Sequence, residues 1–344
     1  HTLNLICENS LENAEGVKEI ICKCRNLISW IKRNVNASDD LRKLQRSAGI
    51  SEGKLLKLIL DVRTRWNSTF YMLERFLKMI NFVGQVVLKY VNAPVMLTSV
   101  MKEEVQDIIN LLRPLEAMTK QLSSEKYTTI SNVIPLVQCG RQQLYKVEPQ
   151  YGSGVKLKEQ LLAEFERRFG KIEQSFLLAS STLLDPRFKN IHFKDPAALS
   201  TVMRHLRKEM ATLKSNTNAT ESSESSDGID DGNEEFDLWQ HHKNLVHTGC
   251  KKRKTSKLEV QDELSYFISV AVADLKLNPM KVWDEMKSVY PNLYQLAMKY
   301  VPLIATSVPA ERLFSKAGAT ATLKRKRLSK LLFLSSEIKR HTRI

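Results

Sequence analysis

No stretch of this 344-residue chain approaches the ~20 consecutive apolar residues needed to cross a bilayer, and no secretory signal is visible. A membrane partner is therefore not expected. Cysteine is sparse: Cys7, Cys22, Cys24, Cys139 and Cys250 are odd in number and irregular in spacing, which argues against a disulfide framework and suits a reducing compartment. Zinc-knuckle spacing is missing too, since a single residue separates Cys22 from Cys24 and no second pair follows. His241, His242, His247 and Cys250 form a looser group beside a polar low-complexity stretch, readable as a metal site or, more in keeping with its surroundings, as a solvated loop. There is no internal repeat. After the first few residues there is also no alternating strand pattern, so a β-rich fold is not expected. The chain opens on His rather than Met, as a piece of a longer protein would.

What the chain does have is positive charge. The formal net charge is +15, which points to a polyanionic partner. Acidic residues are scarce at the end in particular: after Glu311 only Glu337 remains, among ten lysines and arginines that begin at Arg312. Residues 215–237 show the opposite bias, with Ser, Asn, Asp and Glu, no Lys or Arg, and little to bury, which reads as a disordered linker. It leads to Lys251-Lys252-Arg253-Lys254, a run that fits a nuclear import signal and equally a solvated loop.

Elsewhere the apolar residues recur at helical spacing. Val17, Ile20, Ile21, Cys24, Leu27, Ile28 and Ile31 trace one stripe, and Leu73, Phe76, Leu77, Ile80, Val83 and Val87 a second behind a cap at Asn67. Thr98 or Ser99 opens a third helix, kinked at Pro114, and Ile130 to Leu144 forms a fourth interrupted by Pro135. A fifth runs from Leu157 to Phe169 and ends at Gly170, and Asp195-Pro196 caps and starts a sixth. Structure resumes near Lys257, where Asn278-Pro279 starts a helix containing Trp283 and Tyr290-Pro291 precedes Leu293 to Tyr300.

The run Ser307-Val308-Pro309-Ala310-Glu311-Arg312-Leu313-Phe314-Ser315-Lys316-Ala317-Gly318 places an acid and a base in the first turn of a short helix between a capping Ser and a terminating Gly. A first-turn Glu is favoured by the helix dipole in any protein, so this alone decides nothing. Three further blocks accompany it: His1-Thr2-Leu3-Asn4-Leu5-Ile6, the stretch Asp61-Val62-Arg63-Thr64-Arg65-Trp66-Asn67-Ser68-Thr69-Phe70-Tyr71-Met72-Leu73-Glu74-Arg75, and Ser181-Thr182-Leu183-Leu184-Asp185-Pro186-Arg187-Phe188-Lys189. In this order and across most of the chain, they resemble the hAT superfamily of DNA transposases, including the BED-type zinc-finger proteins descended from it.

The resemblance implies a mainly α chain: a large all-helical insertion domain plus the C-terminal helical part of an RNase H-like fold, without the complete sheet. The implied division is 1–60 as the end of the RNase H-like region and start of the insertion, 61–214 as the insertion, 215–257 as an acidic then basic linker, and 258–344 as the hAT C-terminal dimerisation region. Glu311 matches the third acid of the family's metal-binding triad, whose two aspartates precede the His-Thr-Leu-Asn block and are not in this chain. Strand transfer in an intact ancestor would use Mg or Mn, two hard cations held by carboxylate oxygen, and zinc would enter only through an N-terminal finger that this chain lacks. Trp66 would stack near a DNA end with Arg63, Arg65 and Arg312 as cations, or else be a buried core residue beside exposed arginines. The expected partners are DNA and a second copy of the chain, and the expected location is the nucleus. An active DDE-type transposase and a helical interaction scaffold without DNA contact stand as alternatives.

Overall fold

The computed structural model describes residues 2–123, 129–214, 237–251 and 262–305. Thirteen α-helices lie in these residues, and the sole β feature among them is an isolated antiparallel bridge between Thr129 and Ile304. In chain order they are α1 (Thr2–Asn13), α2 (Val17–Arg33), α3 (Val35–Ser47), α4 (Trp66–Val87), α5 (Ser99–Ser123), α6 (Val133–Lys146) and α7 (Gly152–Phe169). Then come α8 (Phe176–Leu184), α9 (Pro196–Lys214), α10 (Gln240–Lys251), α11 (Glu263–Ser269), α12 (Pro279–Glu285) and α13 (Pro291–Tyr300). The mainly α reading is thus met, and the opening residues are helical from Thr2 onward.

Local chemistry accounts for most boundaries. All seven apolar residues of the first stripe are buried on α2, and Gly16, with φ +83°, makes the turn from α1 into it. The Thr98 hydroxyl accepts from the Met101 N–H at 3.2 Å and caps α5, which runs through Pro114. Asp195 accepts from the N–H groups of Ala197 and Ala198 at 2.9 and 3.1 Å, starting α9, and Asn278 accepts from Met280 at 3.0 Å, starting α12. Two expectations need correction. Pro135 does not interrupt α6, because it falls in the first turn, where a missing N–H breaks no helical bond. Asn67 is not the cap of α4: the helix begins at Trp66, and Arg65 is the extended residue before it.

The helices bury two apolar clusters. The first gathers α1 to α7, with Ile6, Leu27, Ile28, Phe76, Met79, Leu111 and Phe165 at its centre and Leu238 added from beyond α9. The second gathers α8, α9 and α11 to α13 around Leu183, Leu206, Phe267, Trp283 and Leu293. α6 touches both, giving Ile134 to the second and Leu136, Val137 and Cys139 to the first. Residues 176–214 therefore pack with 262–301, across the boundary expected at 214.

A further correction concerns the expected 215–257 linker. Its described part contains α10, whose His242 is 3% exposed, and the Leu238 side chain just before it is 5% exposed. Histidines on an apolar surface do not register in a hydrophobic periodicity, so this helix gave no stripe to read.

Candidate nucleic-acid interface

Asp61 to Thr69 forms a turn fastened at both ends. On one side the Asp61 carboxylate, 1% exposed, takes Arg25 Nε from α2 at 2.8 and 3.0 Å, Arg25 Nη2 at 2.5 Å, and the Thr69 hydroxyl from α4 at 2.8 Å. Burial pushes the Asp61 carboxyl up, but the hydrogen bonds from Arg25 and Thr69 outweigh it and hold it below its ordinary value. On the other side the Ser68 hydroxyl accepts from the Val62 N–H at 2.8 Å and lies 2.9 and 2.7 Å from the Val62 and Arg65 carbonyl oxygens. The preceding run is tied by Gln45, whose side-chain amide pairs with both the N–H and the C=O of Leu56 at 2.8 and 3.0 Å.

This turn presents Arg63 and Arg65 to solvent, and neither makes an ion pair among the described residues. Trp66 does the opposite. At 2% exposed it sits in the first core, so its ring is a packing element here and not an open stacking platform. Trp66 nonetheless helps line a cleft of about 630 Å³, together with Lys18, Cys22, Arg25 and Arg63 and with Asn4, Glu8 and Glu12 of α1. Cys22 is exposed there, whereas Cys7, Cys24 and Cys139 are buried, and burial pushes the thiols of Cys24 and Cys139 up to about 12.

Other sequence candidates fall elsewhere. Glu311, Arg312, Lys252, Arg253 and Lys254 lie outside the described residues, as does the whole Ser307–Gly318 run, while Lys251 ends α10. Among the described residues no group of three or more His, Cys, Asp or Glu side chains is placed to hold a metal ion. His242 instead stacks on His192, with the two rings joined by a 2.9 Å hydrogen bond in a buried setting. Burial, with His242 next, holds His192 well below its ordinary pKa, and burial followed by the nearby Arg187 lowers His242 to about 4.

The block Ser181–Lys189, which carried no chemistry in the sequence, proves to be bonded into the second core, while its Phe188 stacks on Trp239, which packs against the first. Asp185, fully buried, receives Arg187 Nε and Nη2 at 2.9 and 2.7 Å and the Ser131 hydroxyl at 2.7 Å. Lys189, at φ +49°, donates to the carbonyls of Phe267, Val270 and Ala271 at 2.7, 3.0 and 3.0 Å, closing the end of α11. Trp283 Nε1 donates to the Leu184 carbonyl at 2.8 Å, and the Ala273 N–H to that of Pro186 at 2.9 Å.

Residues 1–111, which contain this turn and cleft, match the ZBED1 RNase-like helical domain, and residues 262–336 match the hAT family C-terminal dimerisation region. Both matched regions are those of hAT-type, BED-related proteins, to which the chain is similar. It is similar to human zinc finger BED domain-containing protein 4, at 25% identity over 97% of this chain and 28% of that protein. Against human zinc finger BED domain-containing protein 6 the identity is 22%, over 92% of this chain and 34% of that protein. The chain thus spans about a third of the length of these relatives. The described part of the region that matches the hAT dimerisation family is α11 to α13. No described helix is long and apolar enough to cross a membrane.

Proposed function

We propose that this hAT-derived chain binds the DNA backbone through the Asp61–Thr69 turn and acts as a self-associated nuclear protein, without contributing a complete catalytic site. The observation that carries the reading is the turn itself. Arg63 and Arg65 stand exposed and free of acidic partners on a loop pinned from two helices, α2 and α4, so their charge is available and already placed. Contacts of this kind address phosphates and carry no sequence information, consistent with a positive chain whose relatives bear BED zinc fingers by name. The basic run Lys251–Lys254 supports nuclear entry.

The test is fluorescence anisotropy of the chain on a labelled 20-base-pair duplex across a salt series. Log affinity should fall steeply with log salt, and Arg63→Ala/Arg65→Ala should flatten that slope by about two units, close to one for each phosphate left without its cation. An unchanged slope in the double variant would remove the turn from the interface. The burial of Trp66 favours a second reading, a helical scaffold without DNA contact, under which the duplex binds weakly and no single patch matters.

A further inference from the structure

We propose that Arg25 is a positioning residue of this interface, acting through Asp61 to aim Arg63 and Arg65; the inference rests on the DNA reading above. The geometry separates the two roles. Arg25 is 21% exposed and spends its Nε and Nη2 on Asp61, while its Nη1 lies 4.0 Å from the Cys22 sulfur, so the guanidinium faces into the turn more than out of it. Asp61 in turn joins α2 to α4, because its Oδ2 also receives the Thr69 hydroxyl. With Asp61 held at one end and Ser68 gripping Val62 and Arg65 at the other, only Arg63 and Thr64 lie between the fastened points.

Removing Arg25 takes away the anchor from α2 and leaves Asp61 held by Thr69 alone. Ser68 still holds Val62, and the upstream run is still tied by Gln45 at Leu56 and by Arg75, whose Nη1 donates to the Lys57 carbonyl at 2.9 Å. Two long cationic side chains that were placed in advance must now be ordered when DNA binds, and that ordering is subtracted from the affinity. Lys18, a second cation of α2 lining the same cleft, makes no bond to Asp61, so Thr69 is then the one side chain still bonded to it among the described residues.

A mutant cycle on the same duplex decides the matter, with the whole chain and with circular dichroism confirming that each variant is folded. Arg25→Met should weaken binding about three- to tenfold in the parent background, with the salt slope nearly unchanged, and should have no further effect in Arg63→Ala/Arg65→Ala. A weakening that persists undiminished in the double variant, with the slope falling by about one unit, would make Arg25 a direct phosphate ligand and overturn the proposal. Thr69→Val removes the other bond to Asp61 while leaving every charge in place. It should weaken binding in the same direction, and an unchanged affinity would count against the proposal even if Arg25→Met fails to fold. If Arg63→Ala/Arg65→Ala itself leaves affinity and slope at parental values, the DNA reading fails, a result separate from either outcome for Arg25.

Discussion

Replacing Asp185 by Ala should cost far more than the few atoms it removes. The carboxylate is fully buried and takes three bonds from Arg187, through Nε, Nη2 and the backbone N–H at 2.9, 2.7 and 3.0 Å, and one from the Ser131 hydroxyl at 2.7 Å. The Arg187 guanidinium is itself only 8% exposed and lies 4.9 Å from the centre of the Phe188 ring. Without the acid it becomes a buried cation with no counter-charge, a loss on the order of 3–5 kcal/mol. That is a large part of the roughly 5–15 kcal/mol that holds a domain folded. Removing both charges together is different, because two well-packed apolar side chains replace the pair at little or no cost. Asp185→Leu/Arg187→Met should therefore recover most of what Asp185→Ala loses. Urea unfolding followed by tryptophan fluorescence reads the packing around the Ser181–Lys189 block, since Trp239 stacks on Phe188 and Trp283 donates to the Leu184 carbonyl. A loss below about 1 kcal/mol for Asp185→Ala, or a double variant no more stable than the single one, would refute the reasoning.

Buried rings supply two more tests. Trp66→Ala should destabilise the first core by about 3–5 kcal/mol while Trp66→Phe costs much less, measured as a shift in the urea midpoint; equal and negligible effects would mean that the ring is not packed as described. The His192–His242 pair makes the docking of α10 sensitive to acid. Both pKa values are depressed in the folded state, so the stability they confer is present above the ordinary value of about 6.5 and drains away as pH falls toward the folded value of about 4 for His242. The groups around His242 are His241 on its own helix and His192, Arg187, Asp185 and Asp274 from neighbouring segments, and its proton would add a charge beside Arg187. Lowering pH from 7 to 4.5 should lower the amide protection factors of α10, each taken against the intrinsic exchange rate at that pH, and His242→Leu should blunt that response; an identical pH response in the variant would sink the assignment.

The residues differ in how legible they are from sequence. The α2 stripe reads without error because seven apolar side chains at helical spacing have no competing explanation. The cap at Asp195 is equally plain, since Asp before Pro satisfies two orphan N–H groups and pre-sets the first turn. Asn67 misleads because any Asn near a helix start resembles a cap, and only the Ser68 bonds to Val62 and Arg65 show that the chain turns earlier. α10 escapes the pattern because its docking rests on Leu238, Trp239 and a stacked histidine pair, contacts that a hydrophobic periodicity does not score. Arg25 escapes it for a deeper reason. It sits on the polar side of a clear amphipathic helix and meets Asp61 thirty-six positions later, and a pairing across that distance leaves no local signal.

The same contrast bears on what the shared blocks are for. Trp66 and Asp185 stand in the blocks that carry the family resemblance, yet both are buried, and their contacts explain their presence by packing alone. Arg63 and Arg65 have no such explanation. They are exposed, without an ion-pair partner among the described residues, and set between residues whose bonds hold the loop that bears them. Two exposed cations next to so elaborate a support contribute little to stability, because surface charges without partners add little. A turn fastened from α2 and α4 to present them is therefore better accounted for by something the arginines meet outside the chain than by the fold they belong to.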